Sequence, residues 1–307
     1  MPVRPLERLD AESAQGWFGQ AADALERACT AINALNVFPV PDRDTGTNML
    51  VTMRSAAAAA AAAATLSVSG VVNAGARGAL RAACGNSGVI LAGYLSGLAD
   101  GLDDRVTADG PALANALVVA ADSAYSAVEQ PLEGTILSVA RAAALAARKD
   151  DTALVAGVAR AAASAATAEL ADTTSQLPVL RTAGVVDAGG QGLVVVLDVL
   201  AQITAGASAM TQPVVVDSSV VEQAATSLEF AYEVQFLLDA PTDALAVLRA
   251  RLTQVGDSVA VVAGPDRHNV HVHVNDVGAA IEAALDLGRP SQIRVTHLND
   301  QQNVHVD

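Results

Sequence analysis

The feature that most constrains this chain is a change of hydrophobic period two-thirds of the way along it. Up to Ala207 the apolar residues recur at helical spacing, and from Leu228 they alternate as in strands. At 307 residues the chain is also long for one ordinary core. We therefore expect a helical domain at residues 1–207, a linker at 208–227 and a second domain at 228–307. Helical spacing is predicted over Ala11–Leu35, Thr45–Leu66, Val71–Ala83, Val89–Leu98, Pro111–Gln130, Gly134–Arg148, Ala153–Ala171, Gln176–Ala183 and Gly192–Ala207. That amounts to roughly eight helices joined by glycine-rich turns, an all-α bundle or barrel. Composition agrees: the chain is 52% hydrophobic but only 3% aromatic, so Ala, Val and Leu must supply the burial, which favours closely packed helices. In the second domain we predict strands at Phe230–Leu238, Ser258–Val262, Asn269–Val274 and Gln292–His297, with helices at Thr242–Thr253 and Val277–Leu287. The order β-α-β-β-α-β is that of a ferredoxin-like sandwich.

Charge and rare residues exclude several classes of function. A net charge of -15 leaves no basic stripe for nucleic acid. Cys29 and Cys84 are the only cysteines, so no disulfide framework is implied and a cytoplasmic setting is expected. The N-terminal turns carry charges and no apolar core of a signal peptide, and the alanine tract Ala56–Ala64 is too short to span a bilayer, so no transmembrane segment is expected. Lys149 is the only lysine and no Gly-Lys-Ser/Thr occurs, which excludes a Walker-type phosphate loop. His268, His271, His273, His297 and His305 all lie near the C-terminal end, so the first two-thirds of the chain must work without imidazole.

Against those absences stands Asn36-Val37-Phe38-Pro39-Val40-Pro41-Asp42-Arg43-Asp44-Thr45-Gly46-Thr47-Asn48-Met49. Two prolines stiffen an apolar approach, two carboxylates follow at i and i+2, and a helix is expected to start at Asp44 or Thr45. Unpaired N–H groups at a helix start favour phosphate, while the carboxylates favour a hard cation. Both together suit a metal–nucleotide complex; the plain alternative is a capped turn with two solvated aspartates. Three other turns could face this loop. Gly85-Asn86-Ser87-Gly88 has glycines that admit backbone to a ligand and side chains that can bond phosphate, or it is a helix–helix turn. Thr135, in Glu133-Gly134-Thr135-Ile136-Leu137, could cap a helix or touch a ligand. Gly184 to Gly192, with Asp187 and Gly189, could line a nucleobase pocket or simply turn the chain. In the second domain His271 and His273 share one face of a strand and can bind zinc if Glu233 joins them. The alternative is a polar pair on the solvated side of a sheet.

Four ordered blocks carry a family resemblance that covers nearly the whole chain. Leu35 to Met49 resembles the signature of DhaL-like domains of the dihydroxyacetone kinase family, and more narrowly that of the ATP-binding subunit of bacterial fatty acid kinase. Gly85-Asn86-Ser87-Gly88-Val89-Ile90-Leu91, Glu133 to Leu137 and Gly184 to Gly190 match further blocks in order, and His271-Val272-His273-Val274-Asn275-Asp276 resembles the middle domain of that kinase component.

The resemblance implies an eight-helix DhaL-like barrel holding ATP or ADP through magnesium, followed by the ferredoxin-like domain. By that analogy Asp42 and Asp44 are magnesium ligands, with Asn36 where related kinases carry a third carboxylate. Thr45, Gly46, Thr47, Asn48, Gly85, Asn86, Ser87 and Gly88 fall at the phosphates. Thr135, Asp187 and Gly189 fall near the nucleoside. The implied reaction passes the γ-phosphate to a fatty acid carboxylate presented by a separate DegV-like lipid-binding protein, and a homodimer is compatible with it. An ionised carboxylate acceptor needs no deprotonation, so a helical domain without histidine is no handicap. Departures from the pattern are Arg43 in place of glycine, Cys84 in place of arginine, Glu233 in place of cysteine, and no third, C-terminal domain. Two other readings are a non-catalytic nucleotide- or metal-binding regulatory module and a glycerone-kinase-type L subunit, the latter disfavoured by the second domain.

Overall fold

A computed structural model of the chain describes residues 4–150, 152–206 and 229–298, and the predicted linker at 208–227 lies outside them. The helical part runs α1 (Ala11–Ala34), α2 (Thr45–Ala61), α3 (Val68–Ala82), α4 (Gly85–Gly101), α5 (Gly110–Ala127), α6 (Ile136–Lys149), α7 (Val155–Gln176), α8 (Pro178–Ala183) and α9 (Ala188–Thr204). Local sequence starts several of these helices: Asp10, Ser67 and Asp109 each accept a hydrogen bond from the backbone N–H three residues on. Pro111 sits in the first turn of α5, where its missing N–H costs nothing.

Each of α1 to α7 packs on the next, and α9 packs on α7 and returns to α1, so the long helices close a ring. Trp17, Phe18, Leu25, Met49, Leu91 and Leu95 fill its middle, with alanines between them. Small residues let the helices approach closely. A Cβ on Gly101 would lie 2.5 Å from Ala116 Cα, and one on Gly97 2.5 Å from the Val119 carbonyl oxygen. Two expected turns prove to be helical. α4 begins at Gly85 and α9 at Ala188, so Gly85–Gly88 and Gly189–Gly192 lie in first turns and not between helices. Packing and caps there outweigh the glycine signal.

The second part runs β1 (Tyr232–Asp239), α10 (Ala244–Val255), β2 (Gly256–Val262), β3 (His268–Val274), α11 (Val277–Leu285) and β4 (Arg289–His297). It is an α+β unit whose four strands pair antiparallel in the order β2-β3-β1-β4. The alternation of β1 and β3 sorts their side chains onto two faces. Val234, Phe236, Leu238, Val270, Val272 and Val274 pack on Leu245, Leu248 and Leu252 of α10 and Ala280 and Ala284 of α11.

The other face is not solvated. Ala260 and Val262 join the core of the helical part, and Glu129 N–H donates to the Val259 carbonyl at 3.1 Å. Gln235 and Asn269 hydrogen-bond to the end of α3, and Arg249 to the Ala127 carbonyl at 3.0 Å. Both faces of β3 are therefore buried. No helix of the described residues is long and apolar enough to cross a membrane.

Candidate functional site

The starts of α2, α4, α6 and α9 meet at one cavity of about 430 Å³, and the sheet closes its far side. Each helix start carries partial positive charge, so the cavity favours an anion.

The four starts are not alike. At α2 the free N–H groups expected from sequence are taken. Asn36 Oδ1 accepts from Asp44 N, Thr45 N and Thr45 Oγ1, and Asn33 Oδ1 accepts from Gly46 N and Thr47 N. The end of α1 thus caps the beginning of α2. Gly46 makes this approach possible, because a Cβ there would overlap the Cys29 carbonyl oxygen and lie 2.9 Å from Asn33 Oδ1. Thr135 caps α6 by accepting from Leu137 N, and Asp187 caps α9 by accepting from Gly190 N at 2.7 Å. Asp187 also accepts from the backbone of Ile136, tying α9 to α6. At α4 no side chain caps the helix, and the Asn86 amide oxygen is buried without a partner. Gly85 lies at φ +60, where a side chain would be strained and would overlap the Asn48 amide. The open anion cradle is therefore the start of α4, with α2 contributing its acidic approach.

Asp42 and Asp44 stand together at the mouth. Burial, then the Asp44 charge and a shared hydrogen bond, then the Glu233 charge, all raise the Asp42 pKa. Burial raises Asp44 as well, against hydrogen bonds from Asn48 and Asp42. Facing carboxylates that resist ionisation fit a divalent cation, which would hold both in their charged form. Opposite them Glu233, His271 and His273 offer ligand atoms within 4.8 Å of one another. His271 is fully buried with neither ring nitrogen hydrogen-bonded, and its Nδ1 lies 3.7 Å from Glu233. Burial, and next the His273 charge, lower His271 well below the usual imidazole range, and burial pushes His273 down to about 4. Two neutral imidazoles and a carboxylate suit zinc or a similar ion.

Of the residues singled out from sequence, Asn36, Asp42, Asp44, Thr45, Asn48, Gly85, Asn86, Ser87, Thr135, Asp187, Gly189, Glu233, His271 and His273 all line this cavity. Gly46, Thr47 and Gly88 do not. Thr47 accepts from Asn33 at 3.0 Å, and Gly88 packs on Thr52 and the Asn48 carbonyl. Asn36 corrects its sequence assignment as a cation ligand. Its oxygen accepts three hydrogen bonds and its amide donates to the Val40 carbonyl at 2.8 Å, which leaves it to shape the loop. Sequence reasoning missed Asp257, 3.6 Å from His273 Nδ1, and the wall of Val128, Glu129 and Val259. Both arise where two distant segments meet, and no local pattern marks them.

Known proteins resemble this chain along most of its length. Residues 39–202 match the model of the DAK2 domain, and residues 229–305 match that of the FakA-like middle domain of fatty acid kinase. Protein YloV of Bacillus subtilis is 33% identical over 317 residues, covering 96% of this chain and 57% of that protein. Uncharacterized protein SSP1546 of Staphylococcus saprophyticus is 31% identical over 297 residues, covering 92% of this chain and 54% of that protein. The chain thus spans about half the length of the curated relatives it matches. Among solved structures, the native form of the dihydroxyacetone kinase of C. freundii aligns with a TM-score of 0.44 at 21% identity, over 65% of this chain and 35% of that one.

Proposed function

Because the chain belongs to the DAK2 domain family and carries a FakA-like middle domain, we propose that it is the nucleotide-binding part of an ATP-dependent phosphotransferase. The observation that carries this reading is the single cavity where an uncapped helix start faces a pair of buried carboxylates. Phosphoryl transfer asks for positioning and charge neutralisation more than for a strong base, and the cavity is built of groups that supply both.

On this reading Asp42 and Asp44 hold magnesium, which would neutralise phosphate charge when bound. The N–H groups of Gly85, Asn86 and Ser87, with the Asn48 and Thr45 side chains, hold phosphate oxygens. Thr135, Asp187 and Gly189 lie toward the nucleoside. Glu233, His271 and His273 hold a zinc ion on the opposite wall. We read the ring of helices as a barrel and the sheet with α10 and α11 as a ferredoxin-like domain. The acceptor we propose is a fatty acid carboxylate presented by a DegV-like lipid-binding protein, giving an acyl phosphate.

Titration calorimetry with ATP or ADP and magnesium tests the first step, and ATP turnover with a lipid-loaded partner tests the second. Asp42→Ala and Asp44→Ala are expected to abolish turnover while the chain stays folded. Nucleotide binding that survives unchanged in the double variant overturns the assignment of this loop. Tight binding with no turnover would favour a regulatory module instead.

A further inference from the structure

The strands that carry Glu233, His271 and His273 also carry two buried amides that the site itself does not use. Gln235 Nε2 donates to the Ala83 carbonyl at 2.6 Å, and Asn269 Nδ2 donates to the Leu80 carbonyl at 2.9 Å and the Ala83 carbonyl at 3.3 Å. Both side chains are nearly inaccessible, at 5% and 2% exposure. Both point away from the valine face that α10 and α11 cover, so the core of their own domain does not require them. Their acceptors are the last carbonyls of α3, which lack intrahelical partners once the chain leaves the helix at Ala83.

Their position gives these bonds a consequence beyond adhesion. Ala83 precedes Cys84 and Gly85, so the pins grip the chain immediately before the start of α4. On the sheet side, Gln235 stands two residues from Glu233 and Asn269 two from His271, one pleat repeat away on the same face (about 7 Å). The remainder of the seam is Ala260 and Val262 against helix, which specifies contact but little register. Two directional bonds from one face to one helix end specify it, because a shift of either surface breaks both.

We infer that Gln235 and Asn269 are positioning residues, whose capping of α3 fixes the Glu233–His271–His273 face of the sheet against the Gly85–Ser87 helix start. The catalytic consequence rests on the phosphotransferase reading above; the mechanical one does not.

The test uses the intact chain with Gln235→Glu and Asn269→Asp, which keep the shape of each side chain and remove the donated N–H, alongside the double alanine variant. Amide hydrogen exchange at Gly85 to Gly88 is expected to quicken at least 10-fold, while cooperative thermal unfolding is retained. With ATP, magnesium and a lipid-loaded partner, kcat is expected to fall at least 10-fold with KM for ATP changed less than 3-fold. Unchanged exchange at Gly85 to Gly88 in the double alanine variant overturns the inference, as does an unchanged kcat. If the wild-type chain binds no nucleotide, the functional reading fails and the exchange result alone decides the positioning role.

Discussion

The side-chain oxygen of Asn36 accepts hydrogen bonds from both the backbone N–H of Thr45, at 3.0 Å, and its hydroxyl, at 2.8 Å. The same amide donates to the Val40 carbonyl, so one neutral side chain ties the entrance and the exit of the acidic loop together. Neutrality matters at this point. Asp42 and Asp44 already resist ionisation through burial and mutual repulsion, and Glu233 adds to the burden on Asp42.

Replacing Asn36 by Asp is therefore expected to destabilise the magnesium-free protein by about 1–3 kcal/mol, since a third negative group arrives and the bond to Val40 is lost. Magnesium should restore part of that loss. Urea unfolding with and without the cation measures both effects; equal destabilisation in each would show that no cation sits at the loop.

Asp42→Asn separates binding from stability. The substitution removes one of two buried carboxylates that oppose each other, so the variant should unfold at higher urea than the parent in the absence of divalent ions. In return it should lose magnesium-dependent nucleotide binding by at least 10-fold. Calorimetry and equilibrium unfolding on the same preparation check the pair of outcomes. A variant that is both less stable and equally competent in binding would contradict the proposed role.

Gly46→Ala probes the seam between α1 and α2. The new methyl group would meet the Cys29 carbonyl oxygen and the Asn33 amide oxygen, both fixed by the helix they belong to or cap. Overpacking of this kind costs about 1–3 kcal/mol and here would also displace the start of α2. The expected result is a lower unfolding midpoint together with weakened nucleotide binding, read by thermal unfolding and calorimetry.

These cases show what the sequence made legible. The period change announced two parts, and the spacing of apolar residues placed most helices and strands within a few residues of their observed bounds. The loop at Asp42 and Asp44 could be singled out because prolines, carboxylates and cap residues act locally there. The beginnings of α4 and α9 were hidden, because glycine signals a turn unless one knows that a neighbouring helix lies against it. The capping of α2 by Asn33 and Asn36 was hidden too, since it depends on where α1 ends in space. Least legible was the burial of His271 and His273, whose alternation reads equally well as a solvated face. What decides it is a helical surface assembled from residues more than a hundred positions away.

Asp187 offers the clearest pH dependence. Burial is the main cause that raises its pKa, to about 6, and hydrogen bonds from Gly190 and Ile136 only partly oppose it. In the unfolded chain the group titrates near its ordinary value of 3.8. Between these two values the folded state holds the extra proton, so stability present below about pH 4 is lost as pH rises through about 6. A shift of about 2 units corresponds to roughly 3 kcal/mol as an upper bound. Asn at this position keeps an oxygen for the two backbone N–H groups and carries no charge. Asp187→Asn should then match the parent near pH 4 and exceed it by about 1–3 kcal/mol at pH 8 in urea unfolding. Should the variant be the less stable protein at pH 8, the two N–H bonds to the carboxylate outweigh its burial, and the cap is worth more ionised than neutral.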